Sequence, residues 1–90
     1  MKGFHLTISS AENIFYQGEA RFCKIQTQIG QLGIEKGHEP LMAILNFNST
    51  IVYRTIKNEE KSILAESGLF DFRNNICTLT ISTQEVNKLN

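Results

Sequence analysis

The residues able to do acid–base, nucleophilic or metal chemistry are few and widely separated in this 90-residue chain. The two histidines, His5 and His38, are far apart, and neither has a second ligand nearby at the spacing of a metal site. A zinc site needs three or four ligands, and the spacings of the histidines with Cys23 and Cys77 fit no zinc-binding pattern. The chain also contains no nucleophile elbow, no phosphate-binding loop and no Cys-x-x-Cys pair. The sequence therefore predicts neither an enzyme nor a metal protein.

The carboxylates and aromatic residues do not gather into a site either. Glu59 and Glu60 lie in a polar segment typical of a solvated hairpin tip. Asp71 alternates with Phe70 and Phe72, so in a strand its side chain points away from both rings. A nucleic-acid module interleaves aromatic and basic side chains on one face, and packing in a core explains the two phenylalanines more simply. We therefore predict no nucleic-acid partner.

Composition and charge favour one small globular domain. Nine Lys and Arg balance nine Asp and Glu, so no overall field attracts nucleic acid or anionic lipid. No apolar run approaches the roughly 18–20 residues of a membrane span, and the N-terminus does not resemble a signal peptide. We therefore expect a cytosolic chain with reduced cysteines. Both Cys23 and Cys77 have apolar alternating neighbours, which predicts buried thiols.

The elements that must position any functional residue are predicted to be short strands. Alternating apolar and polar residues, or runs of β-branched and aromatic residues, indicate strands over 4–9, 14–16, 19–28, 41–45, 50–56, 62–66, 69–73 and 76–82. Turn signals recur between them, with Asn74-Asn75 before the last strand, and the apolar pair Phe22-Cys23 suggests a bulge. This pattern is typical of an antiparallel sandwich or barrel. A polar tail follows at 83–90.

The stretch from Gln28 to Leu41 is the most distinctive part of the chain. It contains Gly30, Gly33 and Gly37 and ends with the single proline, Pro40. Because glycine reaches positive φ without steric cost, this spacing predicts tight backbone bends, with a very short strand between them. The stretch is either a shaped double turn that presents its tips to a partner or simple turn chemistry.

The order of residues resembles the N-terminal domain of the epsilon subunit of F-type ATP synthases. That family writes its central segment as Gly-x-x-Gly-Ile-x-x-Gly-His-x-Pro-Leu, and this chain matches each fixed position from Gly30 to Leu41. Further matching blocks occur in the same order, at residues 10–12, 15–19, 67–68 and 74–75. The resemblance spans about residues 3 to 82.

The resemblance implies an all-β fold, a flattened antiparallel β-sandwich of about ten short strands over residues 1–82. The polar tail at 83–90 stands where two helices begin in many members. The implied function is that of a rotor subunit in the central stalk, which couples the gamma shaft to the membrane c-ring and catalyses nothing. The implied location is peripheral, on the cytoplasmic side of the inner (plasma) membrane. The resemblance implies no cofactor, no metal and no small-molecule ligand.

Site residues are carried over by position in the same way. The c-ring contact would comprise Gln28, Ile29, Gly30, Gln31 and Leu32. The gamma-subunit contact would include Ser10, His38, Met42 and Ala43. The structural turns would be built by Gly33, Gly37, Pro40 and Gly68.

The chain also departs from the family pattern. The family often carries acidic residues in the ring-facing loop, where this chain has Ile29 and Gln31. A neutral or apolar contact would then replace a charge-assisted one. If Asn90 is the natural end of the chain, we expect coupling without inhibition by C-terminal helices; a chain cut at the domain boundary would have the same sequence. Two other interpretations stay open: a stand-alone β-sandwich adaptor that binds another protein through the same loop, and a small enzyme or ligand-binding sandwich, for which the sequence offers no pocket residues.

Overall fold

The computed structural model describes residues 3–83, which form eight β-strands and no helix. Most strands lie where apolar and polar residues alternate, so that one face of the strand can be buried, whereas the strand Leu41–Ile44 is apolar throughout. The strands are β1 (Phe4–Ser9), β2 (Ile14–Thr27), β3 (Gly30–Ile34), β4 (Leu41–Ile44), β5 (Ser49–Thr55), β6 (Glu60–Ala65), β7 (Ser67–Arg73) and β8 (Ile76–Ser82). The all-β prediction is confirmed, including the strand at 41–45 and the very short strand between the glycines.

β2 is the longest strand and organises the sheet. Its N-terminal half pairs with β1, and its C-terminal half pairs with both β3 and β5. The order of neighbouring strands is β4-β7-β8-β1-β2-β5-β6, and β3 is an additional partner of β2. β1 and β8 run parallel, whereas the other strand pairs in residues 3–83 are antiparallel.

A bulge in β2 lets this strand pair with strands in both halves of the sheet. The register of β2 against β5 shifts between Ala20 and Phe22, beside the Phe22–Cys23 pair where the sequence predicts a bulge. A bulge bends the strand and increases its twist. At the end of β2, a bridge between Thr27 and Leu45 brings the β4 edge back against it. The folded sheet measures 45 × 29 × 19 Å, which is the flattened shape predicted.

The inward-facing side chains of the strands form one hydrophobic core. Phe4, Phe70 and Phe72 are its largest fully buried side chains, and the rings of Phe4 and Phe72 meet edge to face with centroids 5.6 Å apart. Burial of a side chain of this size contributes roughly 1.5–3 kcal/mol. Cys23 and Cys77 are fully buried and unpaired in this core, so the prediction of buried thiols is confirmed.

Asparagine supplies the left-handed backbone at several turns. Asn48, Asn58, Asn74 and Asn75 have φ values of 53°, 67°, 53° and 58°. Asparagine tolerates this region better than most residues, because its side chain can bond to the local backbone. Asn74 and Asn75 form the two-residue turn between β7 and β8, which requires positive φ at both positions.

Two glycines of the distinctive stretch also have positive φ. Gly30 has φ 120° at the start of β3, and Gly37 has φ 84° in the turn between β3 and β4. Pro40 directly precedes β4. These residues fix where β3 begins and how the chain turns towards β4.

The assignment of Gly33 and Gly68 as turn residues is wrong. Gly33 lies within β3 and Gly68 within β7, and neither has a positive φ. Gly68 is required for space, because a Cβ atom there would lie 2.9 Å from methyl carbons of both Ile81 and Leu45. At Gly33 a Cβ atom would meet only the ring of Phe22, at 3.2 Å.

Residues 3–83 contain eight strands rather than the roughly ten that the resemblance implies, and one of the differences arises because β2 does not end where the sequence suggests. The prediction stops a strand at Gln17-Gly18, but β2 continues through both residues because β1 pairs with them. β8 ends at Ser82, and the polar tail predicted for 83–90 lies, except for Thr83, outside the described residues. Within the described range, no helix is long and apolar enough to cross a membrane.

Candidate interaction surface

An apolar groove lies between the β2–β3 turn and the β4–β7 pair. Its volume is about 480 Å³, and it is lined by Thr27, Gln28, Ile29, Met42, Ala43, Ile44 and Leu69. Three of these side chains are strongly exposed: Ile29 at 79%, Met42 at 66% and Ile44 at 61%. A contiguous exposed apolar patch of this kind marks an interaction site more often than an isolated surface residue does.

The alternation of β4 explains one wall of the groove. Leu41 and Ala43 are half-buried against the core, so Met42 and Ile44 point outward. Ile44 pairs across the strands with Leu69, which is also exposed. Directly opposed residues lie on the same face of a sheet, so these apolar side chains form one continuous surface.

The opposite wall is a turn with a defined shape. Thr27 is buried, and its hydroxyl donates to the carbonyl of Gly30 at 2.8 Å and accepts from the amide of Ile29 at 3.2 Å. On the outer face, the Gln26 side-chain amide donates to the Gln31 side-chain oxygen at 3.0 Å. These bonds hold the exposed Ile29 on an ordered backbone, which favours binding because little conformational entropy remains to be lost.

The ring-facing residues predicted from the sequence divide into two groups. Gln28, Ile29, Gly30 and Gln31 are exposed. Leu32 is half-buried, lies opposite Ile25 of β2 and packs against the core. Its side chain therefore anchors the turn, and the outward surface of this segment is formed by the other four residues.

The predicted gamma-facing residues are more dispersed. Met42 and Ala43 line the groove beside the turn that is predicted to face the ring. Ser10 follows β1, which lies three strands from β4, or roughly 14 Å at ordinary strand spacing. His38 lies beyond the Leu41 end of β4, with its ring edge-on to Phe72. The groove thus joins part of each predicted set and leaves Ser10 and His38 outside it.

Sequence reasoning missed three lining residues of the groove: the buried Thr27, and two apolar residues, Ile44 and Leu69. Both are exposed apolar residues that alternate with buried neighbours. Their alternation with Leu45 and Phe70, which are core residues, is the signal that would have identified them. The signal is weak in isolation, because a lone apolar residue on an outer face is common.

The titratable groups of the described chain do not form a reactive site. No group of three or more His, Cys, Asp and Glu side chains in residues 3–83 is arranged to hold a metal ion. Burial raises the pKa of the Cys23 thiol to about 12 and also raises the pKa of Cys77, so neither is a thiolate at neutral pH. Burial, then the charges of Glu19 and Glu59, raises the pKa of Tyr16.

Comparison with known families and relatives gives a consistent result. Residues 3–86 match the family described as ATP synthase, Delta/Epsilon chain, beta-sandwich domain. The ATP synthase epsilon chain of Bordetella parapertussis is 29% identical over 83 residues, which cover 92% of this chain and 59% of that relative. ATP synthase epsilon chain 2 of Ralstonia nicotianae is 38% identical over 63 residues, which cover 70% of this chain and 44% of that relative. The chain thus spans about half the length of these curated relatives.

Solved structures share the fold. A chain in the cryo-EM structure of the Euglena gracilis mitochondrial ATP synthase, titled OSCP/F1/c-ring in rotational state 1, superposes with a TM-score of 0.84 over 92% of this chain and 52% of that one. A chain of the Tetrahymena thermophila mitochondrial ATP synthase, titled central stalk/cring, gives a TM-score of 0.75 over 88% of this chain and 63% of that one. Both are 14% identical, so these matches bear on the fold alone.

Proposed function

The chain belongs to the β-sandwich domain family of ATP synthase delta and epsilon chains, and from this membership we propose that it is a central-stalk rotor subunit of an F-type ATP synthase. In this role it couples rotation of the gamma shaft to the membrane c-ring during ATP synthesis. The work is mechanical, and the chain supplies no catalytic group. The observation that carries the proposal is an exposed face of the sheet on which an uncharged row of side chains begins at the apolar groove.

This face can be followed across the sheet from one strand to the next. Ile44 pairs with Leu69, Leu69 with Thr80, Thr80 with Ser9, and Ser9 with Ile14. None of the five carries a charge, and each lies on the outer side of its strand. The row ends beside Ser10. It therefore connects the groove with a predicted gamma contact that lies outside it.

Charge increases towards the other end of the same face. On the same outer face, the neighbouring row of side chains contains Met42 and Asp71. The row after that contains Arg73, His5 and Glu19. A flat surface with an apolar side and a charged side suits a partner that binds in one orientation. In any other orientation, apolar groups of one protein would face charged groups of the other.

We assign gamma binding to this face, with Ser10 beside its uncharged row and Met42 in the neighbouring row. Ala43 lies next to Met42 with its side chain towards the core, and His38 lies beyond β4. We assign c-ring binding to the exposed turn residues Gln28, Ile29, Gly30 and Gln31, with Leu32 as their anchor. Because Ile29 and Met42 line one groove, the two contacts adjoin. Torque would then pass between the partners through one short, rigid part of the sandwich.

The proposed location follows from the proposed partners. The chain would be held peripherally, on the cytoplasmic side of the inner (plasma) membrane, through the rest of the complex. The names of its relatives support membership of an ATP synthase, which is a membrane-associated complex.

The first experiment tests gamma binding with two matched substitutions. Ile44→Glu places a charge in the groove, and Leu64→Glu places one on β6, at nearly equal exposure (61% and 58%). We expect Ile44→Glu to weaken binding to the gamma subunit of the same organism by at least about tenfold, the effect of losing a contact worth about 1.4 kcal/mol. Leu64→Glu should bind like the unmodified chain in isothermal titration.

A second measurement separates the two proposed contacts. Synthase depleted of its epsilon subunit is reconstituted with the unmodified chain, and proton pumping is measured against ATP hydrolysis. Restored coupling supports the rotor role. If the chain binds gamma but does not restore coupling, the proposed gamma contact is retained and the proposed c-ring contact is contradicted. The absence of gamma binding would favour the alternative of a stand-alone adaptor, to which the uncharged ring-facing turn at Ile29 and Gln31 lends some support.

A further inference from the structure

A second concave site lies apart from the groove and has the opposite chemistry. Its volume is about 300 Å³, and it is lined by Arg21, Phe22, Glu35, Lys36, Arg54 and Asn58. Three of the nine Lys and Arg side chains of this electrically neutral protein therefore lie around one pocket. A single carboxylate, that of Glu35, shares the lining, so the lining carries net positive charge.

Each of the two arginines makes a contact that restricts its side chain. Arg21 Nε donates to the carbonyl oxygen of Ile56 at 3.4 Å. The Arg54 guanidinium lies 5.7 Å from the centroid of the Phe22 ring, in a cation–π arrangement. An arginine whose fork is already oriented loses less conformational freedom when it binds an oxyanion.

The carboxylate beside Arg54 opposes the charge of this guanidinium only weakly. Arg54 forms an ion pair with Glu60 at 3.5 Å, and both side chains are substantially exposed. Exposed pairs of this kind contribute little, because water and salt screen them. A multivalent anion that contacts Arg21, Arg54 and Lys36 together therefore competes readily with Glu60 for Arg54.

We propose that this pocket binds the polyphosphate group of a small molecule, such as inorganic pyrophosphate or a nucleoside diphosphate. Two guanidinium groups and an ammonium around one opening match the spread charge of linked phosphates better than that of a single carboxylate. Its volume lies at the lower end of the range of small-ligand pockets. The proposal does not depend on the rotor role, since the pocket shares no residue with the groove.

The test titrates the 90-residue protein with pyrophosphate at constant ionic strength and follows backbone amide NMR signals. We expect saturable shifts at Phe22, Lys36 and Asn58, with groove residues such as Met42 unaffected. Arg21→Gln and Arg54→Gln should each weaken binding by about tenfold, the usual consequence of losing one charge-assisted hydrogen bond. The control is Lys61→Gln, which removes an exposed charge from β6 outside the pocket and should leave affinity unchanged.

Further arms distinguish the source of the phosphates and guard against misfolding. Arg54→Lys keeps the positive charge but loses the planar guanidinium group with its paired donors. This variant should recover part of the affinity lost in Arg54→Gln. ADP that binds more tightly than pyrophosphate assigns the pocket to a nucleotide, whereas equal affinity assigns it to the phosphates alone. Non-saturable shifts, or equal weakening by Lys61→Gln, would overturn the proposal. None of these measurements uses gamma, so failure here leaves the rotor proposal intact.

Discussion

At the scale of single residues, three glycines have different physical reasons to be glycine. Gly37 has φ 84° and open space around its Cα, so its constraint is conformational. Gly68 has an ordinary φ, but side-chain atoms of Ile81 and Leu45 would lie only 2.9 Å from a Cβ atom there. Gly33 has an ordinary φ and faces only the edge of the Phe22 ring. The sequence presents all three as turn signals, and the tertiary neighbours distinguish them.

Alanine substitutions should separate these reasons. We expect Gly68→Ala to lower the free energy of unfolding by about 1–3 kcal/mol, because a methyl group would overpack the core. Gly37→Ala should cost about 1–2 kcal/mol, the strain of an L-residue in the left-handed region. Gly33→Ala should lie within about 0.5 kcal/mol of the original chain, since its only close neighbour is one ring edge. Urea unfolding measures all three, and an equal loss at Gly33 and Gly68 would contradict the steric argument.

At the scale of elements, most strands could be predicted because their apolar residues recur with period two. β5, β7 and β8 follow this pattern closely. The turn between β7 and β8 could also be predicted, because the polar pair Asn74-Asn75 separates two alternating segments. The long β2 was divided in the prediction, because Gln17 and Gly18 read locally as a turn. Their hydrogen bonds to β1 override that preference. The parallel pairing of β1 with β8 joins distant parts of the chain, and no local pattern encodes it.

The candidate interaction surface was predictable in part for the same reason. The stretch from Gln28 to Leu41 carries three glycines at close spacing, so the sequence predicted a shaped turn there, and the family resemblance placed the contact at Gln28–Leu32. Which of its residues point outward depends on the register of β3 against β2, which places Leu32 opposite the buried Ile25. The contribution of Leu69 depends on the pairing of β7 with β4, a non-local contact.

The β2–β3 turn owes its shape to one hydroxyl group, and this gives an element-scale prediction. Thr27→Val keeps the size and β-branching of the side chain but loses the bonds to Gly30 and Ile29. We expect a loss of about 0.5–1.5 kcal/mol in the free energy of unfolding and faster hydrogen exchange at the Ile29 amide. Thr27→Ser keeps the hydroxyl and should retain protection of that amide. Equal exchange rates in the two variants would show that the hydroxyl does not order the turn.

At the scale of the whole molecule, the closed sandwich places both thiols where water does not reach. Cys23 comes from β2 and Cys77 from β8, and both are fully buried in the common core. In the unfolded chain each thiol ionises near its ordinary pKa of 9.0, but burial raises the pKa of Cys23 in the folded chain to about 12. Burial also raises the pKa of Cys77. Folding is therefore coupled to the protonation of both groups.

This coupling predicts the direction of the pH dependence of stability. Well below pH 9 both thiols are protonated in both the folded and the unfolded state, so they add no pH dependence to the free energy of unfolding. As the pH rises from 9 towards 12, the unfolded chain releases protons that the folded chain retains, so the free energy of unfolding falls. Each thiol adds at most about 1.4 kcal/mol per pH unit to this decline.

Urea unfolding between pH 8 and about pH 10.5 tests this prediction. The quantity compared is the slope of the free energy of unfolding against pH, not its value at one pH. Cys23→Ala and Cys77→Ala are studied separately, because a cavity lowers stability at every pH without adding a slope. Each variant should lose stability less steeply with pH than the original chain does. Tyr16 and Tyr53, whose pKa values are also raised, leave a common residual slope in both variants. A slope that is unchanged by either substitution would mean that the thiols ionise as readily in the folded sandwich as in the unfolded chain.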